Sequence, residues 1–157
     1  MSFKTAVEQT EHLENAWKPG LQALRAEDRP HIDPQDTRRL RGSVDVDTAW
    51  RPLDPNGNRW DFGIAYQHTN RNEEFVYWVE THTASDSQIK KVIKKAHWLL
   101  NWLKTSGKIV AQFERQILWV SSGATSFTLT SPHKKQMALA GLTHCGSKLR
   151  ILDQRKG

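Results

Sequence analysis

Residues 59–82 read RWDFGIAYQHTNRNEEFVYWVETH, and this stretch decides the fold because it predicts a β-hairpin. Aromatic and β-branched residues are concentrated in 60–66 and 75–79, and the polar run 68–72 supplies the turn. Side chains alternate between the two faces of a strand. Pairing residues whose numbers sum to 141 therefore makes one face wholly apolar. A shift of one residue would destroy that match, so the pattern also predicts the register.

The same register places two carboxylates next to each other. Asp61 lies opposite Glu80, and His82 follows two residues further along the same face. Like charges directly opposite destabilise a sheet pair, whereas a divalent cation would reverse the interaction because hard cations take carboxylate oxygens as ligands. The plainer interpretation is a solvated face with both acids pointing into water. The hairpin therefore predicts either a cation site or an ordinary polar surface.

Length and composition limit the domain number and the cellular environment of the protein. A chain of 157 residues has room for one substantial core, so we expect a single domain over 1–157. Its one cysteine, Cys145, excludes an intramolecular disulfide and fits a reducing cytoplasm. No apolar run is long enough for a membrane span and the N-terminus lacks a signal core, so we expect a cytoplasmic protein with no membrane partner.

The charge balance points to a polyanionic partner. Lys plus Arg number 23 against 17 Asp plus Glu, and the net charge is +6. Such a surplus favours nucleic acid, either DNA or RNA. A basic protein whose charges only maintain solubility is the alternative.

The first part of the chain predicts helix and then loop. Residues 1–25 form an N-terminal helical segment with an approximate apolar face, kinked or split near Pro19 and Gly20. The polar segment 28–41 is a loop or a short helix. Its clustered arginines either contact phosphate or are solvated surface. They are Arg38, Arg39 and Arg41.

An α/β core is predicted over residues 43–152. Residues 43–50 alternate as a first strand, and the turn DPNGN at 54–58 folds it back, so Asp45 or Asp47 should share the face of Asp61. With the hairpin, this makes a three-stranded antiparallel meander. The later elements are a buried strand at 116–122, parallel to its neighbour, a helix closed by Gly141, a short strand at 148–152 and a frayed tail at 153–157.

A crossover helix follows the hairpin. Ser85 and Gln88 resemble a capping box, and apolar residues then repeat at helical spacing as far as Leu103. The opposite face carries a dense basic patch, formed by Lys90, Lys91, Lys94 and Lys95. Gln88, Lys91 and Lys95 follow one stripe beside the apolar residues, from which the lysines can reach toward the sheet.

This order of elements, over roughly residues 1–152, resembles the core of the PD-(D/E)XK nuclease superfamily, the restriction-endonuclease-like fold. In that superfamily an acid on the second core strand and a Glu-x-Lys on the third hold one or two divalent ions, and the lysine positions or activates water. Asp61 matches the first acid and Glu80 the second. His82 stands where the lysine is expected.

The resemblance implies two ways to replace that lysine. Some members carry it on the following helix, which Lys95 or Lys91 would match, with Gln88 similar to the polar residue often found early on that helix. Alternatively, His82 itself ligates metal or moves a proton, since imidazole titrates near neutral pH.

The resemblance also implies a cofactor and an activity. The cofactor is Mg²⁺ or Mn²⁺, held by Asp61 and Glu80, with Asp47 as a further ligand, and the activity is metal-dependent cleavage of phosphodiester bonds in nucleic acid. The superfamily often adds a glutamate from its first helix, which Glu11 or Glu14 matches. The implied catalytic residues are Asp61, Glu80, His82 and Lys95. The expected nucleic-acid contacts are Lys90, Lys91, Lys94, Gln88, Arg38, Arg39 and Arg41.

Two other function classes stay open. The first is a catalytically inactive module of the same fold that binds nucleic acid through its basic surface, which His82 in the lysine position favours. The second is a protein-interaction module, such as an inhibitor, immunity or regulatory partner, or a homodimer. The seven tryptophans would then be interface anchors.

Overall fold

The computed structural model describes residues 1–126 and 131–153, except for the side chains of 123–126. The α-helices in this part of the chain are α1 (Phe3–Glu8), α2 (Val46–Trp50), α3 (Asp86–Lys104) and α4 (Ser131–Leu139). The strands are β1 (Trp17–Lys18), β2 (Ile32–Pro34), β3 (Leu40–Asp45), β4 (Phe62–Tyr66), β5 (Phe75–Ser85), β6 (Arg115–Ser126), β7 (Leu142–His144) and β8 (Leu149–Ile151). Short 3₁₀ turns occur at Arg29–His31, Thr37–Arg39 and Val110–Gln112.

Six of these strands form one mixed sheet in the order β1-β3-β4-β5-β6-β7. Neighbours from β1 to β5 are antiparallel, whereas β5, β6 and β7 run parallel. The chain passes from β5 to its parallel neighbour β6 by way of α3, because parallel strands need a crossover. The mixed α/β architecture, with its meander and crossover helix, is confirmed.

The hairpin register is also confirmed. Phe62 pairs with Val79, Ile64 with Tyr77 and Tyr66 with Phe75. These side chains belong to one apolar cluster on one face of the sheet. The opposite face carries a larger cluster, in which Trp78 packs with apolar residues of α1, α3 and α4. The period-2 pattern thus assigned each residue of the hairpin to its correct face.

The N-terminal segment differs from the prediction. Helix α1 ends at Glu8, so the helical segment does not extend to residue 25. Trp17 instead begins an edge strand that pairs with β3, and its indole Nε1 donates to the carbonyl of Arg41. The indole also lies so close to Gly42 that a Cβ there would be 2.1 Å from Nε1. This tertiary contact outweighs the weak helical spacing of the apolar residues.

The strand predicted at 43–50 is also shorter than expected. Strand β3 ends at Asp45, whose carboxylate accepts hydrogen bonds from the backbone N and the hydroxyl of Thr48, at 2.9 and 2.7 Å. This cap starts α2 and moves Asp47 from the sheet onto a helix. The turn at 54–58 is present, with the Gly57 amide donating to the Asp54 carbonyl.

The predicted C-terminal elements are present. Strand β6 includes the predicted 116–122, α4 begins at Ser131, and Gly141 follows it with φ of 65°. The last strand pairs with β2 in a separate two-stranded sheet. Most of the predicted frayed tail, residues 154–157, lies outside the described residues. No helix among the described residues is long and apolar enough to cross a membrane.

Candidate active site

Asp61 and Glu80 lie side by side on the face of the sheet that α3 covers. Continuing the hairpin register by one pair sets them opposite each other. Asp61 is 3% exposed and Glu80 is 1% exposed. Two acids on a solvated surface would be mostly exposed, so the plainer interpretation of the hairpin is wrong for this pair.

The carboxylate of Glu80 is paired on one oxygen only. Lys95 Nζ donates to Oε2 at 2.7 Å, and His82 Nδ1 lies 3.6 Å from the same oxygen. The other oxygen, Oε1, is buried and has no hydrogen-bond partner among the described residues. Buried polar atoms are nearly always satisfied, so an unpaired carboxylate oxygen suggests a ligand.

The carboxylate of Asp61 contacts a backbone amide and an arginine. Its Oδ2 accepts from the backbone N of Thr81 at 3.0 Å and lies 3.6 Å from a guanidinium nitrogen of Arg25. Arg25 also donates to the buried Asp28 at 2.6 Å and stacks over the ring of Phe62. Asp61 is therefore held between a backbone donor and a half-exposed arginine.

The electrostatics of the pair follow from burial. Desolvation, together with the neighbouring charge of Glu80, raises the pKa of Asp61 well above its usual value, although Lys95, Thr81 and Arg25 oppose this. Burial would lower the pKa of Lys95, but the charges of Glu80 and Asp61 outweigh it and raise the pKa. Lys95 is therefore a permanent cation at neutral pH, and a second cation would relieve the repulsion between the acids.

His82 is tied to the first turns of α3. Its Nε2 lies 2.5 Å from Oε1 of Gln88. An amide oxygen only accepts, so Nε2 carries the hydrogen in this pair. Ser85 occupies the N-cap position but makes no side-chain cap. The predicted capping box is therefore absent, and Gln88 orients His82 instead.

Asp47 does not join the acid pair. Its carboxylate is bound by Arg59 at 2.9 Å and by Arg51 at 3.0 Å, although its charge still contributes to the raised pKa of Lys95. Among residues 1–126 and 131–153, no group of three or more His, Cys, Asp or Glu side chains is placed to hold a metal ion. The predicted three-carboxylate set is therefore not formed, because the cap at Asp45 turned this stretch into a helix.

Two carboxylates still fit Mg²⁺ or Mn²⁺. Mg²⁺ keeps several waters and is commonly held by one or two carboxylates together with substrate phosphate. Asp61 and Glu80 supply that number, and Oε1 of Glu80 has no hydrogen-bond partner among the described residues. The charge of Lys95 on Oε2 would compete with the ion for Glu80.

The predicted basic residues separate into two groups. Lys90, Lys91 and Lys94 are exposed on α3, the same helix that carries Lys95 to the site. The arginines lie at the far end of the hairpin, where Leu40 pairs with Tyr66, and Arg38 is bound to Asp36 at 3.0 Å. Arg38, Arg39 and Arg41 are therefore not brought to the acid pair.

The glutamates proposed from the first helix also lie elsewhere. Glu11 and Glu14 follow the end of α1 and are exposed. The carboxylate of Glu14 accepts from the backbone N of His12, and Glu11 lies 3.2 Å from the His12 ring. Neither has a contact that links it to Asp61 or Glu80.

Arg25 and the backbone of Thr81 are the contacts that the sequence did not reveal. Arg25 is the last residue of the segment predicted as helical, and its spacing of three from Asp28 is common on surfaces. Its approach to Asp61 depends on the fold of the N-terminal segment. The sequence alone shows that Thr81 follows Glu80 on the predicted strand, but not that its backbone N contacts Asp61.

Comparison with known proteins gives no match: no family model, curated protein or solved structure is similar to this chain.

Proposed function

We propose that the protein is a metal-dependent phosphodiesterase that acts on nucleic acid, with a divergent PD-(D/E)XK-like site. The observation that carries the proposal is the 2.7 Å contact between Lys95 Nζ and Glu80 Oε2, beside the buried carboxylate of Asp61. This places two acids and one lysine together. The lysine comes from the crossover helix, as in superfamily members whose lysine has moved from the third strand.

Each residue has a role that its surroundings support. Asp61 and Glu80 would hold Mg²⁺ or Mn²⁺, which would lower the pKa of bound water and neutralise charge on the phosphate oxygens. Lys95 has a raised pKa, so it orients and stabilises a negatively charged group and does not act as a base. His82 is partly exposed, is held by Gln88 and lies beside Glu80, which fits a proton acceptor.

The basic patch on α3 would bind the backbone of the substrate. Lys90, Lys91 and Lys94 are exposed, and the first of them lies about one turn into α3. Phosphate contacts release counterions, so we expect affinity to fall steeply as salt rises.

Cleavage assays test the proposal. The wild type and its Glu80→Gln and Asp61→Asn variants are incubated with plasmid, single-stranded DNA and RNA in Mg²⁺, Mn²⁺ or EDTA. We expect cleavage that requires metal and falls at least about 100-fold in both variants, in line with loss of metal-borne transition-state stabilisation. Glu73→Gln is the matched control, because Glu73 is exposed in the hairpin turn. Cleavage that survives both substitutions, or that persists in EDTA, contradicts the proposal.

A second candidate is a nucleic-acid-binding module without catalysis, and the burial of the acids favours it. Glu80 is 1% exposed and already paired with Lys95, so a buried ion pair alone explains part of the geometry. This candidate predicts salt-sensitive binding through α3 with no cleavage in any metal. The same assays, run beside a binding titration, separate the two functions.

A further inference from the structure

Arg25 is the half-exposed cation of the candidate active site. Its terminal nitrogen Nη2 lies 3.6 Å from Oδ2 of Asp61, and the Arg25 side chain is 48% exposed. The side chains of Lys95 and His82, at the neighbouring Glu80, are only 16% and 18% exposed. An anion that approaches the acid pair from solvent therefore has the Arg25 guanidinium within reach.

A buried acid holds this guanidinium in place. Nε of Arg25 donates to Oδ2 of Asp28 at 2.6 Å, and Asp28 is only 4% exposed. The guanidinium carbon also lies over the ring of Phe62, at 5.4 Å from its centroid. These two contacts restrict a long side chain in the free protein, so Arg25 loses less conformational entropy when it binds a ligand.

The guanidinium keeps hydrogen-bond donors for a ligand. Among the described residues, its one hydrogen bond is that from Nε to Asp28, because the distance of 3.6 Å between Nη2 and Asp61 is too long for a second. Both terminal nitrogens can therefore still donate. A planar guanidinium with such donors matches the oxygens of a phosphate.

We propose that Arg25 binds a phosphate oxygen of the nucleic acid at the acid pair, when a divalent cation occupies the carboxylates of Asp61 and Glu80. The inference rests on the proposed function, and it adds a substrate-binding residue to the same site. Asp28 is a positioning residue, because it acts on the substrate only through Arg25.

This contact should depend on the cation. In its absence, the negative charges of Asp61 and Glu80 repel a phosphate, and the exposed lysines of α3 hold the nucleic acid alone. A bound divalent cation changes the sign of the local charge and allows the phosphate to reach Arg25. Arg25 should therefore add to affinity only in the presence of the cation, whereas the lysines of α3 contribute in both conditions.

Fluorescence anisotropy with a labelled single-stranded DNA dodecamer, and with its RNA equivalent, tests the contact at pH 7.5. Each titration is run in EDTA and in Ca²⁺, a hard cation that also takes carboxylate oxygens, at a concentration that saturates the protein in calorimetric titration. We expect Arg25→Gln to weaken binding about tenfold in Ca²⁺ and less than about twofold in EDTA.

The matched control is Arg29→Gln. Arg29 lies in the same segment and donates to the Leu24 carbonyl, so its loss also removes a contact of this segment without removing a charge from Asp61. We expect its affinity to stay within about twofold of the wild type in both conditions. Should Arg25→Gln fail to fold, as monitored by circular dichroism, Arg25→Gln/Asp28→Asn removes both charges of the buried pair and carries the same test.

A loss confined to Ca²⁺ supports the contact. Binding equal to that of the wild type, or weakened to the same extent in Ca²⁺ and in EDTA, overturns it. So does an Arg25→Gln variant that no longer takes up Ca²⁺, since Arg25 would then hold Asp61 and not the phosphate. A wild type that binds neither oligonucleotide in Ca²⁺ overturns it too.

Failure of the proposed function gives a different result. Absence of cleavage in every metal refutes that function, but a loss of affinity in Arg25→Gln that is confined to Ca²⁺ still places a phosphate at the guanidinium. Conversely, cleavage that Glu80→Gln abolishes, together with unchanged affinity in Arg25→Gln, keeps the function and overturns the contact.

Discussion

At the level of single residues, the stability of the site depends on the charge of Glu80. A buried carboxylate that loses its cationic donor is more costly than a pair in which both charges are removed. Lys95 Nζ is that donor, at 2.7 Å, and its side chain is 16% exposed. The effects of substituting Glu80 and Lys95 on the free energy of unfolding are therefore expected to be coupled.

Substitution Lys95→Met is expected to lower the free energy of unfolding by about 3 kcal/mol, because Glu80 then keeps an uncompensated charge. The double variant Glu80→Gln/Lys95→Met should recover much of that loss. Urea denaturation measures both, with Lys94→Met as control, since Lys94 is exposed on the same helix. If Lys95→Met and Lys94→Met lower the free energy of unfolding by the same amount, within about 0.5 kcal/mol, the contact between Lys95 and Glu80 does not stabilise the protein.

A second prediction concerns pH and a histidine on the other face of the sheet. His68 is 1% exposed, its Nε2 lies 2.7 Å from the Tyr77 hydroxyl, and burial lowers its pKa. Because the folded pKa is depressed, the unfolded chain takes up the proton first as pH falls below about 6.5. The neutral His68 ring therefore contributes its full stabilisation above about pH 6.5, and this stabilisation is lost as the pH falls below that value.

Substitution His68→Gln should remove that part of the pH dependence, since glutamine does not titrate. Thermal unfolding between pH 5 and 7.5 measures the slope of Tm against pH. The control His97→Gln, at an exposed position, should keep the wild-type slope. Tyr77 does not confound the result, because burial raises its pKa to about 12. Equal slopes in wild type and His68→Gln would refute the assignment.

At the scale of elements, the hairpin and α3 hold the site. Strand β4 approaches β5 closely at Gly63, where an added Cβ would lie 2.6 Å from the ring of the fully buried Trp78. Packed interiors do not yield easily to such an atom. The close approach keeps Asp61 and Glu80 in register two residues away.

Substitution Gly63→Ala is therefore expected to destabilise the protein by about 2 kcal/mol through overpacking against Trp78. In Trp78→Phe the smaller ring leaves room, so the two substitutions should be less than additive in a double-mutant cycle. Urea denaturation of the four proteins measures the coupling. Strict additivity would show that the Trp78 ring does not limit this position.

Local periodicity explains which elements the sequence predicted well. The hairpin register and α3 follow from period-2 and helical patterns that lie within about 45 residues of chain. The segment 46–50 kept an alternating pattern but became α2, because the Asp45 side chain caps it. The helix predicted over residues 9–25 is also absent, because the pairing of Trp17 with Val44 outweighs the helical spacing of the apolar residues.

At the scale of the whole molecule, long-range pairing brings the N-terminal and C-terminal parts together. Ile32 pairs with Leu149 in the two-stranded sheet, a contact that no local pattern encodes. The site is assembled in the same way, from Arg25, the hairpin and α3. Asp61 and Glu80 were predictable from the register and Lys95 was one of two candidate lysines, whereas Arg25 depends on tertiary structure alone.

Isothermal titration with Mn²⁺ measures whether Asp61 and Glu80 together hold a divalent cation. We expect the wild type to bind about one Mn²⁺ per chain, in line with a two-carboxylate site. Binding should be lost in both Asp61→Asn and Glu80→Gln and retained in Glu73→Gln, whose side chain is exposed. Absence of Mn²⁺ binding to the wild type, or binding that both variants retain, would show that the two carboxylates do not form a cation site.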